Sequence, residues 1–156
     1  MSTVSKTIGR LACIAALLLL AGALFSGAMA EAEVRLPRVS NAWVRLTAIP
    51  GRPAAGYFTI TGGSTDDKLV GVSSPAASRV ELHESAMANG MMMMTTQASV
   101  PVAARSTLAF TPRGRHAMLY DLHAAAGSKV PLTMHFASGT TAEIEATTLA
   151  AGDAAA

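Results

Sequence analysis

The chain has 156 residues, 51% of them hydrophobic and 14% charged, and its formal net charge is +2. Two of its basic residues, Lys6 and Arg10, lie in a segment that we expect to be removed, and without them ten basic side chains balance ten acidic ones. This balance argues against nucleic-acid binding, and the length is sufficient for one domain with a single hydrophobic core.

The first thirty residues have the pattern of a secretory signal peptide. An apolar run from Leu11 to Phe25 follows the two basic residues, and Ala28–Ala30 supplies the small residues of a cleavage site. We therefore expect cleavage after Ala30 and a periplasmic location. One alternative is an uncleaved membrane anchor, because the run is just long enough to span a bilayer. Another is lipidation at Cys13, which Arg10 disfavours because a lipoprotein signal has an apolar residue at that position.

Removal of the signal peptide also removes Cys13, which is the single cysteine of the chain. An exported domain without cysteine has no disulfide, so that packing of its core must hold it together. Any site for a soft metal in such a domain must use methionine and histidine instead of thiolates.

Short β-rich segments, separated by Gly, Pro, Ser and Asp, fill the rest of the chain and predict an all-β antiparallel sandwich or small barrel. The predicted strands are Asn41–Thr47, Ala55–Thr61, Lys68–Ser73, Arg79–Glu84, Met91–Gln97, Ser106–Phe110, His116–Leu122, Lys129–Ala137 and Thr141–Thr147. The predicted organisation is a signal peptide (residues 1–30), an N-terminal leader (31–38), a single β domain (39–147) and a flexible tail (148–156).

Histidine and methionine concentrate in the middle of the domain. Two histidines and two methionines, one pair at each end of this region, form the candidate metal site: His83, Met94, His116 and Met118. Two imidazoles and two thioethers are neutral and suit a soft monovalent cation, so that Cu(I) is the expected ion and Cu(II) or zinc is not. Imidazole binds metal only when it is unprotonated, and we expect the copper affinity to fall below about pH 6.

Four further methionines lie close to these candidates. Asn89-Gly90 predicts a tight turn that folds the methionine run back towards His83. Alternation along a strand places Met92 on the face of Met94, whereas Met91 and Met93 point to the other face and are expected mostly in the core. Met87 and Met92 are either auxiliary donors or an apolar rim.

The other candidate functional groups point to ordinary structural roles. His123 and His135 are expected to be conventional surface or hydrogen-bonded histidines, with Leu132, Met134 and Phe136 packed inwards. The chain has no nucleophile elbow, no phosphate-binding loop and no His-Glu-x-x-His motif. We therefore expect no catalytic activity.

The spacing of the four candidate ligands resembles the PCu(A)C family of periplasmic copper chaperones. The family pattern is His, ten residues, Met, twenty-one residues and His-x-Met, and His83, Met94, His116 and Met118 match it without a gap. Flanking segments also resemble the family: Asn41–Arg45, Ala55–Ile60, Ser74–Ala77, Val80–Glu84 and Val130–Thr133. The run of consecutive methionines departs from the family pattern, and it leaves Met92 as a possible substitute for Met94.

The resemblance implies a cupredoxin-like β-sandwich that binds one Cu(I) near its surface. It also implies delivery of copper to the CuA centre of cytochrome c oxidase, beside Sco-type thiol proteins. From the N-terminal apolar run, we expect membrane contact only through an uncleaved signal peptide. Two other functions stay open. One is a periplasmic copper-buffering or resistance protein with the same site, and the other is a metal-free β-sandwich interaction module whose methionines form a contact patch.

Overall fold

A computed structural model describes residues 34–153. The predicted signal peptide, the cleavage site after Ala30 and Cys13 lie outside the described residues. The described part of the chain contains no helix with the length and apolar character needed to cross a membrane.

Ten β-strands and no helix make up the described residues, which confirms the all-β prediction. The strands are β1 (Arg38–Arg45), β2 (Ala54–Thr61), β3 (Asp67–Ser73), β4 (Arg79–Ala88), β5 (Met91–Thr96), β6 (Val100–Val102), β7 (Thr107–Phe110), β8 (Arg115–Tyr120), β9 (Lys129–Phe136) and β10 (Thr141–Leu149). Each of the nine predicted strands is present. The tenth, β6, escaped prediction because it is three residues long and has Pro101 at its centre.

Hydrogen bonds join the strands in the order β5-β4-β8-β2-β1-β10-β9-β3-β6. All pairs in this order are antiparallel except β1 and β10, which run parallel. Strand β2 joins two neighbours on the same edge, since its first half pairs with β8 and its second half with β7. This arrangement leaves β5 at one end of the order, next to β4 alone.

Alternate residues of the strands point into one continuous hydrophobic core. In β9, the side chains of Val130, Leu132, Met134 and Phe136 are at most 3% exposed, which confirms the inward direction expected for the last three. The core also includes these residues from the other strands: Val44, Ala54, Phe58, Ile60, Leu69, Val72, Leu82, Val100, Val102, Phe110, Ala117, Leu119 and Ala146. Because residues next to each other on a strand face opposite sides, the neighbours of these core residues lie on the outer faces.

The ends of the strands differ from the predicted domain limits by one or two residues. Strand β1 begins at Arg38, the last residue of the predicted leader. Strand β10 continues through Thr148 to Leu149, where the prediction had placed the tail. Thr148 is fully buried, its hydroxyl donates to the Ala125 carbonyl oxygen at 2.6 Å, and its burial ties the end of the strand to the domain.

Candidate metal centre

The candidate ligands lie on three adjacent strands, β5, β4 and β8. A tight turn at Asn89-Gly90 joins β4 to β5, and both turn residues have positive φ, at 51° and 77°. Such a two-residue turn favours Asn-Gly, because glycine and asparagine tolerate the left-handed region. The predicted turn is confirmed, and it sets the register that opposes Ala88 to Met91.

His83 and His116 lie directly opposite each other on β4 and β8. Their rings are stacked with an interplanar angle of 20° and centroids 5.9 Å apart. Leu82 and Ala117, the chain neighbours of these histidines, belong to the core, so that both imidazoles lie on the outer face of the sheet. They are nevertheless only 8% and 5% exposed, because side chains of the same face surround them.

Met94 and Met118 lie on the same outer face, one residue pair away from the histidines on either side. Met118 opposes Glu81 on β4, and Met94 of β5 opposes Ser85. Each methionine is therefore a diagonal neighbour of His83, at about 7–8 Å between backbones. The three strands thus bring the four predicted ligands to one face, with one thioether on each side of the two imidazoles.

The register also separates the two methionines that the sequence left as alternatives. Met92 opposes Met87, one residue pair farther from His83 than Met94 is. Met94 is therefore better placed than Met92 to complete a site centred on the histidines. Met87 and Met92 are 64% and 52% exposed and lie near the turn, still on the outer face.

The expectation that Met91 and Met93 lie in the core is wrong. They do point to the face opposite Met92 and Met94, but they are 66% and 55% exposed. The physical reason is the position of β5 at the end of the strand order, where all six of its residues are exposed. The side chains opposite them, Ala88 and Ala86, are too small to cover a methionine.

The hydrogen bonds of each imidazole indicate which ring nitrogen carries the proton and which keeps a lone pair for a metal. His116 Nδ1 lies 3.0 Å from the Gly114 carbonyl oxygen, which can only accept, so that Nδ1 carries the proton and Nε2 keeps its lone pair. His83 Nε2 lies 3.1 Å from Thr96 Oγ1, and His83 Nδ1 is buried with no partner among the described residues. A buried lone pair is less costly than a buried orphan N–H, so that we assign the His83 proton to Nε2. An unpartnered buried imidazole nitrogen fits a metal ligand.

Glu81 is a charged group at the site that sequence reasoning did not identify. Its carboxylate accepts hydrogen bonds from Arg79 Nε at 3.1 Å and from the Tyr120 hydroxyl at 3.0 Å, and it lies 3.9 Å from His83 Nε2. The hydrogen bond from Arg79, followed by the one from Tyr120, holds the pKa of Glu81 below its ordinary value. A carboxylate that stays ionised next to His83 favours a cation at the site. Its position two residues before His83 was the available signal, because such residues share a face.

An aromatic wall borders His116 on the side of β2 and β1. The Tyr57 ring centroid lies 6.4 Å from that of His116 and 4.3 Å from that of Trp43. The Arg45 guanidinium carbon lies 5.1 Å above the Trp43 ring and 5.7 Å from the Tyr57 ring, at cation–π distance. Burial raises the pKa of the Tyr57 hydroxyl, although the Arg45 charge opposes the shift, and the hydroxyl stays neutral at physiological pH. This wall keeps water away from His116 on that side.

The remaining metal-binding side chains do not join this centre. His123 is exposed. His135 lies on β9, away from β4 and β8, and its Nε2 is hydrogen-bonded to the Ser73 hydroxyl at 2.7 Å. Within residues 34–153, no group of three His, Cys, Asp or Glu side chains is placed to hold a metal ion. The donors that the fold does assemble are nitrogen and thioether, which select soft ions.

Comparisons with known proteins place the chain in a family. Residues 38–148 match the model of the family described as "Putative lipoprotein LpqE-like". The chain belongs to this family. A protein of Leifsonia xyli subsp. xyli (strain CTCB07), named "Putative lipoprotein Lxx21020", is 36% identical over 110 residues, which cover 69% of this chain. The match spans 66% of that relative's length, slightly under two thirds.

Solved structures of similar fold include copper proteins. The Cu(I)-bound DR1885 protein of Deinococcus radiodurans is 29% identical, with a TM-score of 0.51 and coverage of 82% of this chain and 85% of that one. The copper-bound PCuAC domain from PmoF2 is 20% identical, with a TM-score of 0.59 and coverage of 72% and 91%. The apo PCuAC domain from PmoF1 is 24% identical, with a TM-score of 0.60 and coverage of 76% and 97%. The predicted cupredoxin-like sandwich and the resemblance to the PCu(A)C family are confirmed.

Proposed function

We propose that this LpqE-like protein is an exported Cu(I) carrier without catalytic activity. The observation that carries the proposal is the directly opposed pair His83 and His116, each with one ring nitrogen free, between Met94 and Met118 on a single face. The Cu(I)-bound relative from Deinococcus radiodurans supports the choice of ion. These four side chains are the proposed ligands.

The chemistry of this donor set fits binding and release better than redox catalysis. Neutral imidazole and thioether donors hold a monovalent ion without adding charge to the buried site, and the nearby Glu81 carboxylate partly balances the ion. Thioethers stabilise Cu(I), so that cycling to Cu(II) would be unfavourable. Met94 is 54% exposed and offers a side from which an acceptor can replace ligands one at a time.

We propose a periplasmic location, with Glu31 as the first residue of the mature protein. The family description and the relative's name both contain the word lipoprotein, which brings lipidation at Cys13 back as the competing form. The mass of the protein after export distinguishes the two forms. A chain that begins at Glu31 supports the proposal, and a chain that begins at a diacylated Cys13 replaces the soluble form with a membrane-anchored one.

For a partner, we propose the CuA subunit of cytochrome c oxidase as the copper acceptor, with a Sco-type thiol protein working beside it. The test is to mix the Cu(I)-loaded protein with the apo soluble CuA domain and to follow copper in each after separation. Movement of copper to the acceptor supports a chaperone. Retention of copper, at acceptor concentrations that exceed the carrier, would instead indicate a storage or buffering protein.

The ligand assignment is tested by Cu(I) titration against a competing chelator in the absence of oxygen. The variant H83N/M94L/H116N/M118L should lose tight binding, because no imidazole or thioether of the centre remains. A matched variant, M91L/M93L/H123N, changes the same residue types at exposed positions away from the centre and should bind like the wild type. Circular dichroism verifies that both variants are folded. Tight binding that survives in the first variant would rule out the assignment.

A further inference from the structure

The outer face of the β4–β5 hairpin carries three thioethers, and the proposed copper centre uses only one of them. Met87 and Met92 oppose each other near the turn, and Met94 follows two residues along β5. We propose that these three methionines form a second, outer Cu(I) site that exchanges copper with the histidine centre. This inference deepens the proposed function, because Met94 belongs to both sites.

The geometry of the hairpin brings the three sulfur atoms within reach of one ion. Directly opposed residues on antiparallel strands have Cβ atoms about 4.5–5.5 Å apart, which applies to Met87 and Met92. Met94 lies about 7 Å farther along the same face of β5. Each methionine has three rotatable bonds between its backbone and its methyl group, so that the sulfurs can converge without movement of the strands.

The exposure of these side chains supports an ion-binding role over a packing role. Met87, Met92 and Met94 are 64%, 52% and 54% exposed, and none belongs to the hydrophobic core. Their apolar surface stays in contact with water, and they gain little stability from packing. Three thioethers on one exposed face provide a neutral sulfur site, whose chemical class of ligand is a soft monovalent cation such as Cu(I) or Ag(I).

The exchange between the sites needs no electron transfer and no co-reactant. Copper stays Cu(I) throughout, and Met94 remains bound while the sulfurs of Met87 and Met92 leave. The lone pairs of His83 and His116 take their places, and Met118 completes the centre. Delivery to an acceptor runs through the same steps in reverse.

The opposite face of the hairpin supplies a matched control. Met91 and Met93 lie on the same strand as Met92 and Met94 and are as exposed, but they point away from the histidines. If the methionines served only as an apolar contact surface, those on the two faces of the hairpin would respond to added metal in the same way. A metal site connected to the histidine centre would use the outer face alone.

The test is a titration of the exported protein, labelled with ¹³C in its methionine methyl groups, with Ag(I) and with Cu(I) without oxygen. The first equivalent should shift the methyl signals of Met94 and Met118. The second equivalent finds Met94 already bound and is held by Met87 and Met92 alone, so that it should bind more weakly and shift only their methyl signals. The signals of Met91 and Met93 should stay in place.

Two double variants decide between the outcomes. M87L/M92L should lose the second equivalent and keep the first, whereas M91L/M93L should keep both. Absence of a second equivalent in the wild type, its survival in M87L/M92L, or equal shifts of Met91 and Met93 would overturn the outer site. The variant H83N/H116N separates the two proposals: its loss of the tight first equivalent tests the histidine centre, and its retention of thioether binding tests the outer site.

Discussion

The hydrogen bond between Thr96 and His83 is expected to fix which nitrogen of His83 binds copper. Thr96 lies opposite His83 on β5, and its hydroxyl oxygen is 3.1 Å from Nε2. In the substitution Thr96→Val, a methyl group replaces the hydroxyl with little change in shape. The Nε2–H then loses its acceptor, and the proton can move to Nδ1, where it would block the nitrogen that we assign to copper.

The size of the effect follows from what remains around the ring. Loss of a group that orients a metal-binding histidine typically lowers metal affinity about 10–100-fold, or about 1.4–2.8 kcal/mol. The Glu81 carboxylate, at 3.9 Å from the same nitrogen, can take over part of the role of the hydroxyl. We therefore expect the lower end of that range, about tenfold.

The assay is competition with a Cu(I) chelator at pH 7, for the wild type, T96V and T95V. Thr95 is the matched control, because it is also an exposed threonine on the same strand but opposes Glu84 on the other face. T95V should bind like the wild type, and the ¹⁵N shifts of the His83 ring should change only in T96V. Unchanged affinity in T96V, or an equal loss in T95V, would refute the assigned role of the hydroxyl.

Two further predictions concern stability. Met134→Ala should lower the free energy of unfolding by about 2–5 kcal/mol, because Met134 is fully buried, whereas Met93→Ala on the exposed hairpin should change it by less than about 0.5 kcal/mol. Urea denaturation measures both, and similar losses would contradict the assignment of Met134 to the core. For Asp67, burial raises the pKa, but hydrogen bonds from the Ser138 hydroxyl and from the backbone N–H groups of Lys68 and Ser138 lower it by more. A folded-state pKa below the ordinary 3.8 means that ionised Asp67 stabilises the protein above about pH 4, and that this contribution is lost as the pH falls through the folded-state value. Asp67→Asn should therefore destabilise the protein at pH 7 and differ less from the wild type at pH 3; a difference independent of pH would contradict the role of the charge.

Most of the fold was predictable because alternation and turn residues are local signals. Asn89-Gly90 identified the β4–β5 turn, and alternating apolar residues identified β9 and its inward face. Strand β6 was missed because three residues around Pro101 are too few to reveal their alternation, and the strand depends on pairing with β3. The end of β10 was missed because the burial of Thr148 depends on a distant loop, which the sequence around it does not reveal.

The four donor side chains of the candidate site were predicted from the sequence, but the contacts around them were not. Alternation identified His116 and Met118, because residues two apart share a face, and the Asn89-Gly90 turn together with the family spacing identified His83 and Met94. The direct opposition of His83 and His116 depends on the pairing of β4 with β8, which are distant in sequence. The contact of Thr96 with His83 depends on the register of β4 with β5, and Glu81 lies two residues before His83 on the same strand. Both had a local signal in the sequence that we did not use. Burial of Met91 and Met93 was wrongly expected because alternation predicts a face and not whether another part of the protein covers it.

The most direct test of the copper centre is X-ray absorption at the copper edge of the protein loaded with one equivalent of Cu(I). We predict nitrogen from two imidazoles and sulfur from two thioethers, and H83N/H116N should replace the nitrogen scattering with sulfur from the hairpin. A wild-type spectrum with sulfur ligands alone, or with oxygen and nitrogen alone, would contradict the assignment of His83, Met94, His116 and Met118 as the ligands.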